Sequence, residues 1–72
     1  MTKFTRDMAK RFKEVRGDRT FEQFSKTLGV SEPTLCRTEK GGMPSVGTLL
    51  AMARKEKISV NWLMLGIGNR SL

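Results

Sequence analysis

The residues that start and stop helices divide this chain into short segments. Four side chains that commonly cap a helix N-terminus each precede a stretch of helically spaced apolar residues: Thr20, Ser31, Ser45 and Ser59. Glycines close three of these stretches, at Gly29, at Gly41 and Gly42, and at Gly66. This punctuation predicts helices of about two to three turns, joined by short loops.

Five helices follow from the caps and the apolar spacing, over about residues 4–15, 20–28, 32–40, 46–56 and 60–65. Tyrosine is absent and β-branched residues do not run together, so strands have little support. With 72 residues, one domain spanning 1–72 is the default, and we expect an all-α, compact five-helix bundle. Its predicted core contains Phe12, Val15, Phe24, Leu28, Val30, Leu35, Leu49, Leu50, Ala53, Ile58, Trp62 and Leu63.

The charge of the chain favours a polyanionic partner. Fourteen lysines and arginines face seven acids, giving a net charge of +7. Half of the basic residues crowd into the first 19 positions: Lys3, Arg6, Lys10, Arg11, Lys13, Arg16 and Arg19. Such an excess indicates nucleic acid or an anionic membrane surface, although a solvated helix face is the simpler alternative. Arg16 and Arg19 flank the turn before the second helix, so we favour them for phosphate contacts.

The rest of the composition narrows the chemistry. One cysteine excludes an intramolecular disulfide, and the absence of histidine leaves no obvious metal site. There is no nucleophile–base pair and no phosphate-binding glycine loop, so an enzyme has little support. The N-terminal MTKFTRDMAKRFK lacks the apolar core of a signal peptide, and no run reaches a membrane span. We expect a cytoplasmic protein that binds no cofactor, associates with no membrane and has no small-molecule substrate.

The segment LGVSEPTLCRTEKGG, from Leu28 to Gly42, contains the most informative spacing in the chain. A glycine turn at Gly29 separates two short helices, and a positive φ there would allow the chain to turn sharply. Val30 fills the angle between the helices, and Leu35 anchors the third helix inward. This arrangement predicts a helix-turn-helix within the bundle, with the face opposite Leu35 available for binding.

The exposed face of the third helix is predicted to be one polar stripe. Glu32, Cys36 and Lys40 are four residues apart, and Pro33 and Arg37 lie on the neighbouring line. Arg37 suits a guanine edge, and Lys40 suits a phosphate. Glu32 both stabilises the start of the helix and suits cytosine N4, and the two roles are compatible. Cys36 is either a passive small residue or a redox-sensitive one, with the passive role favoured.

The chain resembles the lambda repressor–Cro class of helix-turn-helix domains, of the phage-repressor-like (XRE-type) kind. The resemblance lies in RFKEVRGDRT, TFEQFSKTLGVSEPTLCRTEKGG and ISVNWLMLGIGN, which together cover most of residues 8–69. It implies a third helix in the major groove of a double-stranded operator and a dimer on a pseudo-palindromic site. It further implies DNA contacts from Ser31, Thr34 and Arg37. Thr20 matches the usual cap of the second helix in this class, and we count it among the predicted DNA-binding residues together with Pro33 and Cys36. Phe21 stands where the family commonly has a phosphate-binding glutamine, and Gln23 is the substitute we expect.

These features predict a repressor of phage or prophage type that binds its operator as a homodimer, with a protein antagonist as one route of regulation. Met64 and Ile67 are apolar beyond what one short helix can bury, and we favour a place in the dimer interface over the alternative that they belong to a loose tail. An antitoxin-type or other protein-interaction module with the same fold is the alternative. The tail GIGNRSL is equally typical of the start of a linker to a further domain.

Overall fold

The computed structural model describes residues 2–72, which form five α-helices and no strand. The helices are α1 (Lys3–Arg16), α2 (Phe21–Leu28), α3 (Glu32–Glu39), α4 (Val46–Glu56) and α5 (Val60–Leu65). The predicted all-α, five-helix architecture is confirmed, with α4 and α5 at the predicted bounds and the other three helices one residue different at one or both ends. An isolated antiparallel bridge joins Ile58 to Ser71, so the last residues fold back beside the start of α5.

The predicted caps account for where the helices begin. The side-chain oxygens of Thr20, Ser31, Ser45 and Ser59 each accept a hydrogen bond from the backbone N–H three residues later. The structure adds a fifth cap at Thr2, which forms a capping box with Thr5 at the start of α1. Each of these bonds satisfies a backbone donor that the helix itself leaves free. Gly29 ends α2 at φ +73°, a left-handed conformation that any larger residue would adopt only with strain.

The core lies where the helices converge. Its buried apolar members are Met8, Ala9, Phe12, Val15, Phe24, Leu28, Leu35, Met52, Ile58 and Leu63. Val30, Leu49 and Trp62 were predicted to be core residues and are half-buried against this cluster. Ala53 is also half-buried.

The prediction was wrong at Leu50, which is 50% exposed, whereas Met52 on the same helix is fully buried. The inward face of α4 runs through Thr48 and Met52 rather than through Leu50. Thr48 can be buried because its hydroxyl lies 3.1 Å from the Oγ of the capping Ser45, and its polar group is therefore satisfied locally. The predicted core included neither Thr48 nor Met52, and the inward face of the helix therefore differs from the expected one.

α3 packs against both α1 and α2, while α4 contacts α2 and α5, and α5 returns to α1. Three arginines from the basic N-terminal segment reinforce this arrangement. Arg11 donates hydrogen bonds to the carbonyls of Leu63 and Met64 at the end of α5, at 2.8 and 3.1 Å. A cation at this position also complements the negative end of the helix dipole.

Arg16 and Arg19 form ion pairs with acids of other helices, so the phosphate contacts that we favoured for these two residues would compete with intramolecular partners. Arg16 donates two hydrogen bonds to Glu39 at the end of α3, from Nε at 2.7 Å and Nη2 at 3.1 Å. Arg19 binds Glu56 of α4 in the same two-pronged way, at 2.7 and 3.1 Å. The two guanidinium groups also lie over the rings of Phe21 and Phe24, at 4.5 and 4.6 Å from the ring centroids. Both arginines therefore fasten α1 and the following turn to other helices.

The Arg16–Glu39 pair should contribute measurable coupling energy between α1 and α3. The two side chains are 17% and 8% exposed, so the pair lies between a surface ion pair and a buried one. We expect a double-mutant cycle with Arg16→Ala and Glu39→Ala to give about 1–3 kcal/mol, measured by urea unfolding. The hydrogen bond to Glu39 raises the pKa of Arg16 above its ordinary value. The arginine's contribution is therefore present throughout the neutral range and lost only in strongly alkaline solution.

The exposed i,i+4 pair Glu22–Lys26 of α2 provides the matched control for this cycle. Its charged atoms are 3.7 Å apart and its side chains are 68% and 78% exposed. Coupling there should not exceed about 0.5 kcal/mol. Equal coupling energies for the two pairs would mean that Arg16 and Glu39 do not fix the position of α3.

Candidate nucleic-acid interface

One face of α3 is turned away from the protein. Leu35 is 1% exposed and Thr38 is 2% exposed, and these two residues fix which side of the helix points inward. Thr38 is tolerated there because its hydroxyl donates to the carbonyl of Thr34, at 3.0 Å. The polar stripe predicted from the sequence lies outward: Glu32, Pro33, Arg37 and Lys40 are exposed and Cys36 is half-buried.

The first turn of α3 is held by a local hydrogen-bond network. Ser31 Oγ lies 2.7 Å from Thr34 Oγ1 and accepts the Thr34 N–H at 3.4 Å. Pro33 lies in this first turn, where its missing N–H leaves no bond unmade. Glu32 lies beside the positive end of the helix dipole and forms no ion pair with any residue of 2–72. Its carboxylate is thus available to a ligand as well as favourable to the helix.

The start of α2 presents a second polar group. Thr20 and Gln23 form a capping box, in which Thr20 Oγ1 accepts the Gln23 N–H at 3.1 Å and Gln23 Oε1 accepts the Thr20 N–H at 2.9 Å. Gln23 therefore uses its carbonyl oxygen for the cap, while its amide NH₂ donates to no group within residues 2–72. Phe21, by contrast, is half-buried beneath Arg16 and supplies a packing surface rather than a polar contact.

Arg37 stands at the centre of the exposed stripe and has no ionic partner within residues 2–72. The chain that follows α3 passes close to the backbone and the aliphatic part of Arg37. The Arg37 carbonyl accepts the N–H groups of Lys40 and Gly42, at 3.1 and 2.9 Å. A Cβ built on Gly42 would lie 2.8 Å from Arg37 Cγ and 2.9 Å from Arg37 O. The double glycine was predicted only as a helix stop, and its second glycine in fact makes room for the arginine.

We expect Gly42→Ala to disturb Arg37 more than any other residue of the stripe. One of the two close contacts is with a backbone oxygen, which cannot move aside without shifting the end of α3. Amide chemical shifts should therefore change most around Arg37, and the protein should lose about 1 kcal/mol of stability. Gly47→Ala is the matched control, because a Cβ there meets only Ser45 Oγ at 3.7 Å. Equal shift changes at Arg37 in both variants would contradict this role for Gly42.

A cleft of about 360 Å³ lies between α1 and the end of α3. Its lining consists of Arg6, Ala9, Lys10, Lys13, Glu39 and Lys40. Three residues of the basic N-terminal segment, Arg6, Lys10 and Lys13, therefore line the same cleft as Lys40, which lies at the end of the α3 stripe. Sequence reasoning missed this cleft because it depends on how α1 crosses α3, which spacing along one helix does not specify.

The two residues predicted for the dimer interface differ in their exposure to solvent. Met64 is half-buried and packs against the core of its own chain, whereas Ile67 is 61% exposed. Leu65 is 55% exposed and lies between them in sequence, so it is a further exposed apolar side chain at this end of the chain. Dimerisation through this end of the chain stays a prediction.

Comparisons and the remaining site chemistry add no further assignment. No protein-family model, curated protein or solved structure matches the chain. Within residues 2–72, no three histidine, cysteine, aspartate or glutamate side chains are grouped so that they could hold a metal ion. The same residues contain no helix that is both long enough and apolar enough to cross a membrane.

Proposed function

We propose that this protein is a sequence-specific double-stranded DNA-binding repressor similar to the lambda repressor–Cro class, acting in the cytoplasm as a dimer on a pseudo-palindromic operator. The observation that carries the proposal is the exposed stripe of α3, on a helix whose opposite side is packed against the core. At the centre of the stripe, Arg37 has no ionic partner within residues 2–72. Leu35 holds α3 against the core and Glu39 ties its end to α1. A rigid helix that presents charged and polar groups outward is what the major groove accepts.

In this proposal α2, the turn at Gly29 and α3 act as a helix-turn-helix. Arg37 donates two hydrogen bonds to guanine O6 and N7, and Glu32 accepts one from cytosine N4. An acid near DNA also penalises other sequences, because its charge is repelled by phosphates wherever that base contact is missing. Ser31, Thr34 and the Gln23 amide lie at helix starts, where they would contact phosphates together with backbone N–H groups.

A pseudo-palindromic operator has two half-sites, so two copies of the protein would have to bind together. Leu65 and Ile67 are the exposed apolar residues at the end of α5 that support this pairing. Two copies of α3 would then occupy successive major grooves, about 34 Å apart. Repression follows if the occupied site overlaps a promoter.

A protein-interaction module of the antitoxin kind is the second candidate. Met43, Val46 and Leu50 favour it, since they are 61%, 71% and 50% exposed and lie in or close to the first turns of α4. Val46 and Leu50 are four residues apart and share one face of α4, and exposed apolar side chains on one face are typical of protein interfaces. A partner that co-purifies with the chain and protects these residues from solvent would support this function.

The test is selection of bound sequences from a random pool of DNA duplexes, at about 150 mM salt to suppress non-specific binding. An enriched palindrome, with half-sites about 10 base pairs apart, would support a dimeric DNA-binding protein and give the operator. Failure to enrich any sequence with a folded helical protein would contradict the proposal and leave the protein-interaction function.

A further inference from the structure

The cleft between α1 and α3 brings together basic side chains that form no ion pair within residues 2–72. Four of its six lining residues are basic: Arg6, Lys10, Lys13 and Lys40. All four are exposed, and none forms an ion pair with any acid of residues 2–72. The other arginines of the N-terminal segment, Arg11, Arg16 and Arg19, are engaged in intramolecular bonds.

The single acid in the cleft does not reduce this charge. Both carboxylate oxygens of Glu39 accept hydrogen bonds from Arg16, and the side chain is only 8% exposed. The three basic residues of α1 also repel one another, because Arg6, Lys10 and Lys13 follow at intervals of four and three residues on one face. Each such like-charged pair costs about 0.2–0.5 kcal/mol, and a bound anion would relieve it.

We propose that this cleft binds the sugar-phosphate backbone of one DNA strand, through phosphates that follow one another along the strand. This inference rests on the proposed function and adds a second contact surface to it. From Arg6 to Lys13 the helix rises about 10 Å, at about 1.5 Å per residue. One strand of DNA advances about 3.4 Å per phosphate along its axis, and successive phosphates lie farther apart than this because the strand winds around the axis, so the row faces no more than about three phosphates.

The character of the lining favours a backbone over a small anionic molecule. Lysine provides a compact charge without a fixed orientation, which suits a phosphate of any sequence. The lining includes Ala9 but no aromatic side chain that could stack against a base or a nucleotide ring. The cleft should therefore raise affinity and salt dependence without affecting sequence preference.

Lys40 connects the cleft to the α3 stripe, because it belongs to both. A strand held in the cleft would pass the end of α3, at the edge of the groove that α3 enters. α1 would then hold the duplex from the side while α3 contacts its bases.

The test compares two triple variants that each remove three positive charges. The cleft variant carries Arg6→Gln, Lys10→Gln and Lys13→Gln. The control carries Arg54→Gln, Lys55→Gln and Lys57→Gln, three exposed residues at the end of α4 that lie outside the cleft. Affinity for a random-sequence duplex is measured between 50 and 200 mM salt. The cleft variant should lower the slope of log K against log salt by about 2 to 3, and the control by less than 1.

Equal slopes for the two variants would overturn the cleft assignment, since only total charge would then matter. The same would follow if the wild-type protein failed to bind duplex at low salt. Thermal unfolding monitored by circular dichroism checks the fold, and the cleft variant should be at least as stable as wild type because the repulsion along α1 is removed. If it unfolds instead, the single variant Lys10→Gln, with a slope change of about 1, replaces it.

Two further outcomes separate this inference from the proposed function. One outcome is that random-pool selection yields no preferred sequence while the cleft variant, unlike the control, lowers the slope of log K against log salt. In that case the cleft binds DNA and the sequence-specific function fails. If an operator is found but the cleft variant behaves like the control, the function stands and the cleft assignment fails. Tripolyphosphate that shifts the amide signals of Ala9 and Lys13 without displacing duplex would indicate a free anion as the ligand and would overturn the strand assignment.

Discussion

Leu35→Ala is expected to remove a large part of the protein's stability and with it the fixed position of α3. Leu35 is the one apolar side chain that α3 buries, and it is 1% exposed. Replacing a buried leucine with alanine costs about 2–5 kcal/mol, since transfer energy is lost and a cavity is left. A domain of 72 residues has a total stability of about 4–11 kcal/mol, so the variant retains little margin.

Leu50→Ala is the matched control, because it makes the same chemical change at a site that is 50% exposed. It should change stability by no more than about 0.5 kcal/mol. Urea unfolding followed by circular dichroism measures both variants in one experiment. Comparable losses would mean that α3 is not anchored by Leu35 and that Leu50 is buried in solution, as the sequence alone had suggested.

Local signals explain why the helices were predictable from the sequence. Each cap at Thr20, Ser31, Ser45 and Ser59 is a contact between residues three apart, so it is fully specified by a short stretch of chain. Gly29 and Gly66 likewise mark left-handed positions that few other residues adopt at low cost. Helix bounds depend on such short-range contacts, and tertiary packing changed them by no more than a residue at either end.

The inward face of α4 could not be predicted in the same way. Leu49, Leu50 and Met52 are all apolar, and a helix bearing apolar residues around much of its surface permits several orientations. Burial of Thr48 decides among them, and this depends on its hydroxyl being satisfied by Ser45. The spacing of apolar residues contains no information on whether a threonine hydroxyl has a hydrogen-bond partner nearby, so it could not predict that Thr48 is buried.

The roles of the basic residues were equally hidden from the sequence. Arg16 lies only three residues after Lys13, yet Arg16 is bound to Glu39 while Lys13 lines the cleft. Glu39 is 23 residues from Arg16 in sequence, and only folding brings these two side chains together. The hydrogen bond to Glu56 likewise raises the pKa of Arg19, a consequence of a contact across 37 residues. Total charge predicted a polyanionic partner but not which cations remain available to it.

Arg37→Ala is expected to reduce binding to the selected operator by about 1–3 kcal/mol, which is about 5- to 150-fold in affinity. Its guanidinium is exposed, has no acid bound to it within residues 2–72, and is positioned by the turn at Gly42. The loss should be confined to the selected sequence and should relax the preference at one base pair, because a guanine edge is what a bidentate guanidinium distinguishes. Arg37→Lys should lose most of the same discrimination, since an ammonium retains the charge but not the fork of donors.

Lys40→Ala is the contrasting variant on the same helix. Lys40 lies at the end of α3 and lines the basic cleft, so it should contact a phosphate. Its removal should weaken binding to every sequence alike and lower the salt slope by about 1. Fluorescence anisotropy with the operator and a scrambled duplex measures both effects at several salt concentrations. If Arg37→Ala instead weakens both duplexes equally, Arg37 is a phosphate contact, and the base-specific part of recognition must come from elsewhere on the stripe, with Glu32 the first residue to test.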